Sequence, residues 1–107
     1  MTRSSRPHDQ AVAELLRDDP AFADAYLSAA LEEASEPGGR VALLAALRQI
    51  ADAKGMATVA QQAGIPRESM YRVLSATGNP RLGTLLAVVS ALGLRLDVRS
   101  AQGVAGQ

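Results

Sequence analysis

Residues 56–75 read MATVAQQAGIPRESMYRVLS, two short helix-forming runs separated by Gly64-Ile65-Pro66. If 59–63 and 67–75 are helices packed across a tight turn, the first needs a small residue where the second crosses it, and Ala60 supplies one. Gly64 stands where the chain leaves the first helix, a place that favours positive φ. Ile65 plugs the corner, and Pro66 fixes φ for the next first turn without offering a side-chain cap. In the second run Met70, Val73 and Leu74 share one side, and Arg67, Glu68, Tyr71, Arg72 and Ser75 share the other. This is a helix-turn-helix layout, with the polar side of the second helix presented to a DNA major groove. An Ala-rich helical hairpin with no DNA role has the same spacing.

Outward from this stretch the punctuation is mostly Gly and Pro. Asp19-Pro20 reads as an N-cap followed by Pro in the first turn, opening a helix over about 20–34 whose apolar residues are Ala21, Phe22, Ala25, Tyr26, Ala29 and Ala30. A weaker helical segment over about 9–17 precedes it, and EPGGR follows as a loop. Residues 41–54 repeat apolar side chains at Leu43, Leu44, Leu47, Ile50 and Ala51 and close on Gly55, a C-terminal cap. After a Thr-Gly-Asn-Pro loop comes a helix over 81–92, stopped by Gly93.

The expected fold is mainly α: a compact bundle of five to six helices with a helix-turn-helix and one short C-terminal strand. At 107 residues the chain is a single domain. It divides into a flexible arm (1–8), N-terminal helices (9–54), the helix-turn-helix core (56–92), a strand (94–99) and a disordered tail (100–107). The strand rests on LRLDV, where Leu94, Leu96 and Val98 alternate with Arg95, Asp97 and Arg99. A lone strand leaves its backbone unpaired unless it finds another edge, and a two-fold homodimer supplies an identical one. Antiparallel pairing centred on Leu96 sets Arg95 opposite Asp97 and Leu94 opposite Val98, whereas centring on Asp97 sets Arg95 against Arg99. The alternative partner for the strand is a sheet in another protein.

Composition supports packed helices: hydrophobic residues are 48% and aromatics only 3%. With no cysteine there is no disulfide framework and no thiolate chemistry. No apolar run is long enough to span a bilayer, so a cytoplasmic protein without a membrane partner is expected. Net charge is zero, but its distribution is uneven. Residues 1–40 carry four arginines against eight acids, and residues 41–107 carry seven basic residues against Asp52, Glu68 and Asp97. A basic C-terminal part suits phosphates, and an acidic N-terminal part suits a basic partner or simple solubility.

Enzymatic chemistry finds little footing. His8 stands in the N-terminal arm without a metal partner, no serine has a base to activate it, Glu32-Glu33 reads as a solvated helix side, and EPGGR lacks the Lys-Ser or Lys-Thr of a phosphate loop. No cofactor is expected.

AYLSAALEEA, GMATVAQQAG, ESMYRVLSATGNPRLGTLL and ALGLRLDV together resemble the addiction-module antidote proteins, small helix-turn-helix proteins of the phage-repressor-like class. The likeness spans about 11–99. It implies an antitoxin encoded beside a small toxin, often one that cleaves messenger RNA at the ribosome or poisons gyrase, and a homodimer that represses its own operator. Pro66 departs from the Ser or Thr that caps the recognition helix in that family. Ala57-Thr58 replace a Ser or Thr followed by Gln, leaving Thr58 to cap or to contact the backbone.

Carried over by position, the resemblance implies base-edge contacts by Arg67, Glu68 and Arg72, with Arg suited to guanine and Glu to a cytosine amino group. Glu68 has the alternative of pairing with Arg72 at i, i+4. Backbone contacts fall to Thr58, Ser69, Tyr71, Asn79 and Arg81. For Tyr71 a half-buried packing role stands beside DNA contact, and for Asn79 a loop-forming role stands beside phosphate binding. The partners expected are therefore double-stranded operator DNA, a small basic protein toxin and a second copy of the chain. The competing reading is a protein-interaction antidote, or another small transcriptional regulator without a toxin partner.

Overall fold

The computed structural model describes residues 5–101, with side chains from residue 10 onward. Its elements are α1 (Ser5–Asp18), α2 (Pro20–Glu32), α3 (Gly39–Lys54), α4 (Met56–Ala63), α5 (Arg67–Val73) and α6 (Leu82–Ala91). The fold is mainly α. The expected arm gives way to helix from Ser5, whereas the end of the expected tail and the side chain of His8 lie outside the described residues.

Asp19 caps α2 as its position before Pro20 predicts, its carboxylate accepting from the Ala21 N–H at 3.1 Å. The buried stripe of α2 is turned from the expected one. Ala23 and Leu27 are buried, Phe22, Tyr26 and Ala30 are half-buried, and Ala21, Ala25 and Ala29 face outward. In an Ala-rich helix the alanines carry little contrast, so the large side chains set which face turns inward. Phe22 and Tyr26 stack with ring centroids 5.5 Å apart, and the Tyr26 hydroxyl donates to Gln49 Oε1 on α3.

Helix α3 is the hub, packing against α1, α2 and α4. It buries Leu44, Ala46, Leu47, Ile50 and Ala51, the stripe legible from its apolar period. The turn before it folds so closely that a Cβ on Gly39 would stand 2.0 Å from the Glu33 carbonyl oxygen. At the other end Gly55 adopts φ 105° and its N–H closes on the Ala51 carbonyl at 2.9 Å. That one residue ends α3 and begins α4.

The two helices of the opening stretch pack on one another around the expected corner. Gly64 takes φ 74°, and the Ile65 N–H reaches back to the Ala60 carbonyl at 3.0 Å, the closure that a left-handed residue permits. Ala60 is buried at the crossing and Ile65 packs against the core. Helix α6 then covers α4, contributing Val88 and Val89. Leu47, Ile50, Val59, Met70, Leu74, Val88 and Leu92 are fully buried. Side chains from all six helices thus join one core cluster.

The expected C-terminal strand does not form among the described residues: 94–100 follow α6 without regular secondary structure. The alternation holds only at the start of the segment: Leu94 and Leu96 pack against the core while Arg95, Asp97 and Arg99 are exposed, but Val98 is exposed with them. A strand requires a hydrogen-bonded neighbour, and no other described segment pairs with this one.

Candidate nucleic-acid interface

Helix α5 has two sharply different sides. Met70 is fully buried and Val73 packs against the core, whereas Arg67, Glu68, Tyr71 and Arg72 are exposed. The division follows from helical spacing: a seven-residue helix with apolar residues at 70 and 73, and Leu74 at its C-cap, has one stripe to bury, and the positions opposite that stripe face water. Thr58 on α4, Asn79 in the loop before α6 and Arg81 at its N-cap are also exposed, and Ser69 is half-buried.

Several expected local roles are corrected. Thr58 does not cap α4, whose N-cap is Gly55 with no side-chain hydrogen bond. Glu68 and Arg72 do not pair; Arg72 Nη2 donates instead to Ser69 Oγ at 3.3 Å. The Arg72 chain reaches back one turn to the serine three residues before it. Tyr71 is 42% exposed, a ring partly covered by the protein and partly presented to solvent. Asn79 makes no side-chain hydrogen bond among the described residues, which leaves its amide open. Pro66 is the N-cap of α5 and, as its chemistry requires, donates no side-chain cap.

Sequence reasoning missed two residues that hold this surface in place. Arg48 Nη1 donates to the Leu74 carbonyl at 2.6 Å, and Arg40 Nη1 donates to the Gly78 carbonyl at 2.7 Å. Both arginines lie on α3, eight residues apart on one stripe with buried Leu44 between them. They bind the end of α5 and the loop that follows it. Helix ends leave carbonyls without intrahelical partners and carry partial negative charge, so a guanidinium there satisfies both. The sequence shows two arginines in register with the apolar stripe of α3, but nothing in it marks the carbonyls they bind. Gly78 is needed where Arg40 grips the loop, since a Cβ there would lie 2.1 Å from the Val73 carbonyl oxygen.

The remaining basic side chains with described positions, Arg17, Lys54, Arg67, Arg81, Arg95 and Arg99, are exposed. Among the described residues no group of His, Asp or Glu is placed to hold a metal ion, and no helix is long and apolar enough to cross a membrane.

Comparison with known proteins gives the family. Residues 7–100 match the model of the family described as "probable addiction module antidote protein", and the chain belongs to that family. It is also similar to a protein of Haemophilus influenzae described as uncharacterized, with 43% identity over 60 residues. The matched region is 56% of this chain and 62% of that relative. No solved structure matches the chain.

Proposed function

We propose that this antidote-family chain is a DNA-binding antitoxin that represses its own operator as a homodimer and neutralises a small basic toxin in the cytoplasm. The observation that carries the reading is the state of α5: its apolar side is locked into the core while Arg67, Glu68, Tyr71 and Arg72 are bare. A helix held so firmly and presented so openly fits insertion into a major groove. Arg67 and Arg72 then read guanine edges and Glu68 a cytosine amino group. Ser69, Tyr71, Thr58, Asn79 and Arg81 serve the phosphates, which position the helix without reading sequence. One such helix spans only a few base pairs, so two copies related by a two-fold axis, with recognition helices about 34 Å apart, supply useful affinity. Pairing through Leu94, Arg95, Leu96, Asp97 and Val98 is the closure we favour. The protein acts by binding, with no cofactor and no reaction of its own.

The test is footprinting of the purified protein on DNA upstream of its own gene, together with co-expression beside the neighbouring toxin gene. A two-fold protected site and rescue of growth are expected. The exposed acids Glu33 and Glu36 support a second reading, a purely protein-binding antidote. Rescue without any sequence-specific protection favours that reading.

A further inference from the structure

The segment after α6 runs beside α2, and between them lies a groove of about 1170 Å³. One wall carries Leu27, Leu31 and the carboxylates of Asp24 and Glu32, and the other carries Leu94 and Leu96. Leu31 is 37% exposed on this wall, and Val98 is 92% exposed. Val98 does not line the groove although its neighbours on both sides do. Among the described residues, the N–H groups of 94–99 make two hydrogen bonds: Leu94 to the Val89 carbonyl at 3.1 Å and Val98 to its neighbour Asp97 at 2.8 Å. The N–H groups of Arg95, Leu96, Asp97 and Arg99 make none. In an extended segment those of Arg95, Asp97 and Arg99, at every second position, share one open edge beside a recess lined by leucines and charged side chains.

We infer that the groove is filled by the same segment of a second copy, with Val98 of each chain entering the groove of the other. The inference rests on the homodimer proposed above and specifies what closes it. A protruding valine and a recess side by side on one surface are what a two-fold contact uses, because each supplies what the other lacks. The charges agree. Antiparallel pairing centred on Leu96 brings Arg95 against Asp97 of the partner subunit and Leu94 against Val98 of the partner subunit. The monomer's own Asp97–Arg99 contact, 3.8 Å apart with both side chains more than three-quarters exposed, is too solvated to compete. The incoming strand satisfies the N–H groups of the facing edge, those of Arg95 and Asp97, and covers Leu31.

Sedimentation of the full chain tests this. Val98 is bare in the single chain, so Val98→Asp leaves the fold intact by circular dichroism and raises the dimer dissociation constant about tenfold or more, as loss of a central apolar anchor does. Leu31→Glu gives the same result from the groove side. The chain has no cysteine, so Leu96→Cys gives an unambiguous readout. Facing residues of an antiparallel pair stand about 4.5–5.5 Å apart, within disulfide reach, and mild oxidation links two copies. A folded Val98→Asp protein as dimeric as the wild type overturns the inference. So does a wild type that stays monomeric alone and buries Val98 only against a toxin strand. A dimer that Val98→Asp dissociates, with no operator binding by either form, sinks the repressor reading and leaves this interface standing.

Discussion

Arg48 on α3 donates to the carbonyl of Leu74 at 2.6 Å, so the C-terminal end of α5 is capped from another helix. The seven residues of α5 are too few to be a stable helix by themselves, and their direction is set by what grips them. Met70 and Leu74 anchor the inner side and Arg48 anchors the end. Arg48→Ala leaves the carbonyl of buried Leu74 unpaired and removes a cation from a helix C-terminus. A loss of about 1.5–3 kcal/mol in urea unfolding is expected. Operator affinity measured well below the unfolding midpoint falls as well, because α5 is no longer held. Arg48→Lys restores part of both, since it keeps the charge but not the fork.

Arg67 and Arg72 behave differently from Arg48. Both are exposed, and their folded-state contacts are slight, the 3.3 Å bond from Arg72 to Ser69 being weak and solvated. Arg67→Ala and Arg72→Ala should each change stability by less than about 0.5 kcal/mol while costing about 1–3 kcal/mol in operator binding. Gel-shift titration against the operator and a scrambled duplex separates the two effects. An unchanged footprint with either variant removes that residue from the reading surface.

Two glycines give opposite expectations. Gly83 lies in α6 with open space where a Cβ would be, so Gly83→Ala gains about 0.4–1 kcal/mol by restricting the unfolded chain. Gly78→Ala puts its Cβ 2.1 Å from the Val73 carbonyl oxygen. That forces the loop away from Arg40 and costs about 2 kcal/mol or more. Paired urea curves check both signs. A neutral Gly78→Ala would show that the loop relaxes without losing its grip.

The helix-turn-helix was legible because its positions differ strongly in chemistry: small at Ala60, left-handed at Gly64, apolar at Ile65, Met70 and Leu74. The stripe of α2 was misread because Ala21, Ala25 and Ala29 offer no contrast, and Leu27, passed over in the periodic count, set the phase. The strand at 94–99 was read from real alternation, but a strand is a relation between two segments and one chain supplies only one of them. Arg40 and Arg48 escaped notice for a related reason. Their partners are backbone carbonyls 38 and 26 residues away, and a carbonyl has no sequence signature.

The last prediction concerns the acidic surface and the toxin. Removing residues 1–40 outright cannot isolate it, because Val12, Leu16, Ala23 and Leu27 from α1 and α2 are buried in the common core. Charge reversal at exposed positions does. Glu33 and Glu36 are exposed in the turn between α2 and α3, and neither lines the groove that we assign to the second copy. A lysine at Glu33, the C-cap of α2, also favours the helix dipole, so the fold should hold. If a basic toxin is drawn to this surface, Glu33→Lys with Glu36→Lys slows its association about tenfold at low salt. The loss shrinks as ionic strength rises and screens the charges. Operator binding should be unchanged or slightly tighter, since the protein has become more basic. Stopped-flow association at two salt concentrations, beside a gel shift, reads both arms. Association as fast as the wild type at low salt would place the toxin on another face of the molecule.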